Sequence, residues 1–159
     1  MGWKFLDISI LREIDIFKTL SDDALMEIIP LTSTIEFKGG NHIFKEGDAG
    51  DALYLVLSGE VRISKNIHGV GEEALAFLKD GSYFGEMSLV GDESVRSASA
   101  IAGSTTLLAK LERKDFIELL DREKEIAVEI LWSFVNTLSS RLRESNDRVA
   151  FFAMSNMFE

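Results

Sequence analysis

Hydrophobic positions along this chain change their period twice. In the first third they recur at helical spacing: Leu11, Ile14 and Phe17 in "LREIDIFKTL" share one face. "SDDALMEIIPL" then predicts a second helix. Ser21 stands as its N-cap, Asp22 and Asp23 lie in the first turn where negative charge suits the helix dipole, and Pro30 ends it. From Thr34 to Leu111 the period shortens to that of strands. The runs "TIEF", "HIFK", "ALYLVL", "EVRIS", "EALAFL", "SASAIA" and "TTLLAKL" are separated by glycine turns, a pattern that predicts an antiparallel β-roll or jelly-roll barrel. Ser58 and Gly59 predict a hairpin between "ALYLVL" and "EVRIS". From "LERKDFIELLDREKE" onward the pattern is helical again. The expected architecture is mainly β with flanking helices: a helical segment over 1–33, a β-roll over 34–112 and helices over 113–159, all one domain.

The last helix carries two apolar sets. Ile126, Ala127, Ile130 and Phe134 are placed to serve the barrel. Leu131, Val135, Leu138, Leu142, Ser145, Val149, Phe152 and Asn156 recur at alternating steps of four and three, the spacing of a coiled-coil seam. A stripe of this kind either packs on its own barrel or receives a partner helix; because the first set already serves the barrel, a parallel homodimer through the seam is expected. The closing "FFAMSNMFE" is apolar and costly to leave in water.

Composition narrows the function classes. With no cysteine there is no disulfide frame, thiolate metal site or cysteine nucleophile. The net charge of −10, with no basic stripe, counts against nucleic acid as a direct partner. No apolar run approaches the roughly 20 residues of a membrane span, and "MGWKFLDISIL" lacks the marks of a secretory signal or a myristoylation site. A cytoplasmic protein without a membrane partner is expected.

The candidate chemistry lies in "FGEMSLVGDESVRSASA", residues 84–100. If Gly85 opens a helical turn after a strand, the amides of Glu86, Met87 and Ser88 have no carbonyl behind them in the turn, and glycine lets a ligand approach closely. Arg96, amid Ser94, Ser97, Ala98 and Ser99, has room to hold two phosphate oxygens in a fork. Glu86 would repel phosphate but suits sugar hydroxyls. Amides, guanidinium and carboxylate together read as a receptor for a nucleotide.

On these residues the chain resembles the cyclic-nucleotide-binding domain family, which includes the ligand domain of the catabolite gene activator. The resemblance rests on Phe84, Gly85, Glu86, Met87, Ser88, Leu89, Arg96, Ser97 and Ala98, and on "FKTLSDDAL" and "IFKEGDAGDALYLVLSGEVRIS" before them. It implies Glu86 on the ribose 2′-hydroxyl, Arg96 on the cyclic phosphate, Gly85, Met87 and Ser88 near sugar and phosphate, and Ser97 on a phosphate oxygen or the base. Val95 departs from the family's frequent proline. Arg148, Phe151 and Phe152 are candidates to cap the base, since guanidinium and aromatic planes stack on purines. Cyclic AMP is the expected ligand and cyclic GMP the less favoured one. The rival reading is a degenerate member that dimerises and binds no nucleotide. Members that act on DNA carry a helix-turn-helix after the long helix; this sequence ends at Glu159 without one, so output is expected through the dimer or an effector protein.

Other chemistry is weaker. His42 and His68 are separate and suggest no metal site, Asp92 and Glu93 read as a solvated loop tip, and Ser97 and Ser99 have no base nearby. The expectation is a regulatory domain without an enzyme activity or a cofactor.

Overall fold

The computed structural model describes residues 6–89 and 95–155. Four α-helices, α1 (Ile8–Arg12), α2 (Asp22–Ile28), α3 (Arg113–Arg122) and α4 (Lys124–Ser155), flank eight strands. The strands are β1 (Thr32–Phe37), β2 (His42–Phe44), β3 (Ala52–Ser58), β4 (Glu60–Ile67), β5 (Gly71–Lys79), β6 (Tyr83–Phe84), β7 (Ser99–Ala102) and β8 (Thr106–Glu112). They form two antiparallel four-stranded sheets, ordered β1-β8-β3-β6 and β2-β7-β4-β5. This is the β-roll read from the glycine-punctuated runs. Among the described residues, no helix is long and apolar enough to cross a membrane.

β3 explains how the layers stack. Its run "ALYLVL" does not alternate with polar residues because both of its faces are buried. Ala52, Tyr54 and Val56 point between the sheets, where they meet Val61, Phe84, Ala100 and Leu108. Leu53 and Leu55 point the other way, into a larger cluster with Leu11, Ile14, Phe17 and Leu25 of the N-terminal segment and Phe116, Ile130 and Phe134 of α3 and α4. The helical caps act as read: Ser21 Oγ accepts from Ala24 N at 3.2 Å, and Pro30 falls in a short 3₁₀ turn, Ile29–Leu31, directly after α2.

The expected hairpin at Ser58–Gly59 is corrected. β3 and β4 are consecutive but do not pair; β3 is flanked by β8 and β6, and β4 by β7 and β5. Both edges of β3 are occupied, so the turn passes the chain from one sheet to the other. Gly59 suits this crossing, with φ at +103° and room for a Cβ taken by Thr106.

On α4 the two apolar sets separate as read. Ile126, Ala127, Ile130 and Phe134 are its buried residues, whereas Leu131, Val135, Leu138, Leu142 and Val149 are 39–65% exposed. Asn156, the polar position that would close the seam, and the loop residues Asp92, Glu93 and Ser94 lie outside the described residues.

Candidate functional site

The short strand β6 delivers Tyr83 to the helical core and Phe84 to the space between the sheets. Gly85 then turns the chain at φ +88° into a 3₁₀ turn, Glu86–Ser88. A side chain here would be strained, and its Cβ would stand 2.6 Å from Arg96 Nη1 and 3.0 Å from the Ala52 carbonyl. Glycine is thus required by backbone geometry and by the close approach of the arginine.

Arg96 lies under this turn and is 3% exposed. Nη1 donates to Ser88 Oγ at 2.8 Å and to the Gly85 carbonyl at 3.2 Å. Nη2 donates to the Ala52 carbonyl at 2.8 Å and to Asp51 Oδ1 at 3.2 Å. The guanidinium also lies over the Phe44 ring, 4.1 Å from its centroid. Among the described residues the buried Nε has no hydrogen-bond partner. A buried donor left unmade costs free energy, which an acceptor able to reach this nitrogen would recover. Among the described residues Asp51 is the one carboxylate on Arg96, and it is shared with Lys110 Nζ at 3.4 Å.

Glu86 is 2% exposed and faces the other way along the same cavity. Its Oε1 pairs with Arg141 Nη1 of α4, whose Nη2 also donates to the Tyr83 carbonyl at 3.2 Å. Glu86 and Arg96 are therefore not each other's ion pair; each has a separate partner. Burial raises the Tyr83 phenol above its usual value, further favouring the neutral form beside this pair.

The cavity between these groups measures about 200 Å³. The structure brings Phe84, Gly85, Glu86, Met87, Ser88, Arg96, Ser97 and Ala98 to its wall together. Met87 and Ser97 form the open rim, with Ser97 Oγ 3.9 Å from Met87 Sδ. The apolar wall is Ile63, Leu75, Ala76 and Leu78, with Phe44 under the Arg96 guanidinium. The lining thus combines a guanidinium, a carboxylate and aliphatic carbon. The base-cap candidates stand elsewhere: Phe151 and Phe152 are exposed and do not line the cavity, and Arg148 donates to the Leu75 carbonyl at 3.1 Å.

Arg141, Asp51 and Phe44 were not among the residues singled out from the sequence. A signal for Arg141 exists in the barrel-facing set of the last helix: extending Ala127, Ile130 and Phe134 by alternating steps of three and four reaches Thr137 and Arg141. For Asp51 and Phe44 the pattern of the chain carries none, because strand pairing alone brings them to Arg96.

The chain is also similar to known proteins. The family model described as "Cyclic nucleotide-binding domain" matches residues 34–123. The chain is 45% identical over 107 residues to the cyclic AMP receptor protein of Thermus thermophilus, a match covering 67% of this chain and 47% of that protein. It is 33% identical over 115 residues to a cGMP-dependent protein kinase of Caenorhabditis briggsae, covering 71% of this chain and 15% of the kinase. The chain therefore spans about half, or less, of the length of these curated relatives. The crystal structure of a cyclic nucleotide-binding domain from Methylobacillus flagellatus superposes with a TM-score of 0.78 at 31% identity, covering 90% of this chain and 80% of that one. With the cassette residues gathered on one cavity and the family match spanning the β-roll, the chain belongs to the cyclic nucleotide-binding domain family.

Proposed function

We propose that this chain is a regulatory domain that binds a cyclic mononucleotide, cyclic AMP in preference to cyclic GMP, and signals through α4 without catalysing a reaction. The observation that carries the reading is Arg96: a buried guanidinium at the wall of a cavity that also holds Glu86, held in place through its terminal nitrogens, with Nε unpartnered among the described residues. The phosphate is assigned to Arg96 and the turn amides, the ribose hydroxyl to Glu86, and the base to the apolar wall. The preference for cyclic AMP draws on the 45% identity to a protein named as a cyclic AMP receptor, against 33% to a kinase named for cyclic GMP.

Ribose and Arg141 want the same carboxylate. Ligand entry therefore changes what holds α4 at its midpoint, and the populations of two α4 positions shift in proportion to the difference in ligand affinity. The acidic charge argues against this segment itself touching nucleic acid. What the whole protein controls, whether an effector protein or a further region of its own chain, is reached through α4. Titration calorimetry with cyclic AMP, cyclic GMP and 5′-AMP tests the reading. The expected order is cyclic AMP tightest and 5′-AMP weakest, because an open phosphate carries more charge and does not fit a site shaped for a ring.

A competing reading, an interaction module that binds no nucleotide, draws on Arg141 already satisfying Glu86. Equal, weak heats for all three nucleotides would favour it.

The exposed seam supports a parallel homodimer. Val128, 55% exposed, extends the seam by one step, so that Val128, Val135, Leu142 and Val149 alternate with Leu131, Leu138, Ser145 and Phe152. β-branched residues at one core position and leucine at the other favour two parallel strands. Sedimentation equilibrium should give about twice the chain mass of 17.7 kDa. The double variant Val135→Glu, Leu138→Glu should sediment as a monomer with an unchanged circular dichroism spectrum. A wild-type monomer at micromolar concentration would remove the dimer from the proposal.

A further inference from the structure

The far wall of the cavity is built on an irregularity. β5 is the edge strand of its sheet, and its pairing with β4 shifts register between Ile63 and Ser64: Ile63 faces Ala76 and Ser64 faces Ala74. Leu75 is the extra residue of a β-bulge and has no partner on β4. Bulged edge backbone is locally weak, since one peptide unit has left the ladder. Yet Leu75 and Ala76 of this bulge, with Ile63 opposite, form the cavity's apolar wall.

Arg148 is placed where it holds that weak point. Its Nη1 donates to the Leu75 carbonyl at 3.1 Å. Two helical turns earlier on the same edge of α4, Arg141 holds Glu86 and the Tyr83 carbonyl on the opposite wall. Seven residues of α-helix span about 10.5 Å. One rigid helix therefore grips both walls of the cavity, and the spacing of its two guanidinium groups fixes how far apart they stand.

We infer that Arg148 is a positioning residue for base selection: by pinning the bulge at Leu75 it sets the width of the cavity's apolar end, without touching the ligand. This deepens the proposed function and rests on the assignment of the base to the apolar wall. The role differs from base capping. A cap stacks on the ligand and loses affinity when removed, whereas a pin loses discrimination between large and small bases.

Two measurements on the full chain test this, with Arg148→Ala and Arg148→Lys. In the ligand-free protein, amide hydrogen exchange across residues 71–79 should quicken by about fivefold in the alanine variant, the equivalent of one lost hydrogen bond, and be partly restored by lysine. In calorimetry the ratio of affinities for cyclic AMP over cyclic CMP should fall by about fivefold in the alanine variant and recover in part with lysine. Unchanged exchange across 71–79 overturns the pin. An equal loss of affinity for both nucleotides overturns the role in selection, and points to a cap or a general loosening instead. Should the wild type bind neither nucleotide, the binding reading and the selection role that rests on it both fail, while the exchange measurement still decides whether Arg148 holds the bulge.

Discussion

Replacing Arg96 with alanine is expected to weaken cyclic nucleotide binding by about 2–5 kcal/mol, the range for truncating one side of a buried charge pair. That is a loss of about 30-fold to several thousandfold in affinity. The cause is specific to this residue. Its four terminal hydrogen bonds to Asp51, Ala52, Gly85 and Ser88 fix the guanidinium before any ligand arrives. A bound phosphodiester then meets a preorganised partner. The same bonds mean that alanine also strips donors from two carbonyls beside the turn, so the ligand-free protein should lose about 1–3 kcal/mol of stability. Arg96→Lys separates the two effects: it keeps the charge but loses Nε and most of the contacts that hold the guanidinium, and should bind better than alanine but well short of wild type. Calorimetry and urea unfolding of the three proteins measure both quantities. Undiminished cyclic AMP binding by the alanine variant would remove Arg96 from the site and with it the proposed function.

The second large effect concerns α4. Phe134→Ala should cost about 3–5 kcal/mol, the usual penalty for deleting a buried aromatic ring. Phe134 is 4% exposed and packs against Tyr83 and Phe116, at centroid distances of 5.7 and 6.1 Å. It is the last buried residue along α4, and Arg141 reaches Glu86 two turns beyond it. The variant should therefore detach the distal part of α4 before the β-roll unfolds, giving helical and barrel signals that no longer coincide in denaturant. A cooperative transition with an unchanged midpoint would show that α4 is held by something other than this contact.

Arg96 and Glu86 stand at opposite ends of one circuit. Arg96 bonds Asp51, whose carbonyl accepts from Arg113 N, the first residue of α3, at 2.7 Å. α3 leads into α4, and Arg141 returns from α4 to Glu86 in the same cavity. The phosphate end and the sugar end are thus linked through the helices as well as through the turn, so a change at either end bears on α4.

Much of this was legible in the chain itself. "YFGEMSL" places a glycine where the backbone must adopt positive φ, and the structure puts Gly85 there, with Arg96 filling the space a side chain would need. The period of the last helix separated Phe134 from Leu131 because a helix shows one face to the barrel and another to water, and both faces repeat locally. The hairpin expected at Ser58–Gly59 went astray for the opposite reason. A turn signal reports the local bend, while the sheet a strand joins depends on neighbours distant in sequence, here β8 and β6.

The order of residues carries the local choices: strand and helix periods, caps, the glycine at the head of the Glu86–Ser88 turn, and the charged residues available to it. Which charge meets which is settled only when the chain packs. Glu86 and Arg96 lie ten residues apart yet are partnered by Arg141 and Asp51, each more than forty residues away from its partner. Backbone preference acts between near neighbours, whereas ion pairing depends on distances set only when the sheets and α4 have packed.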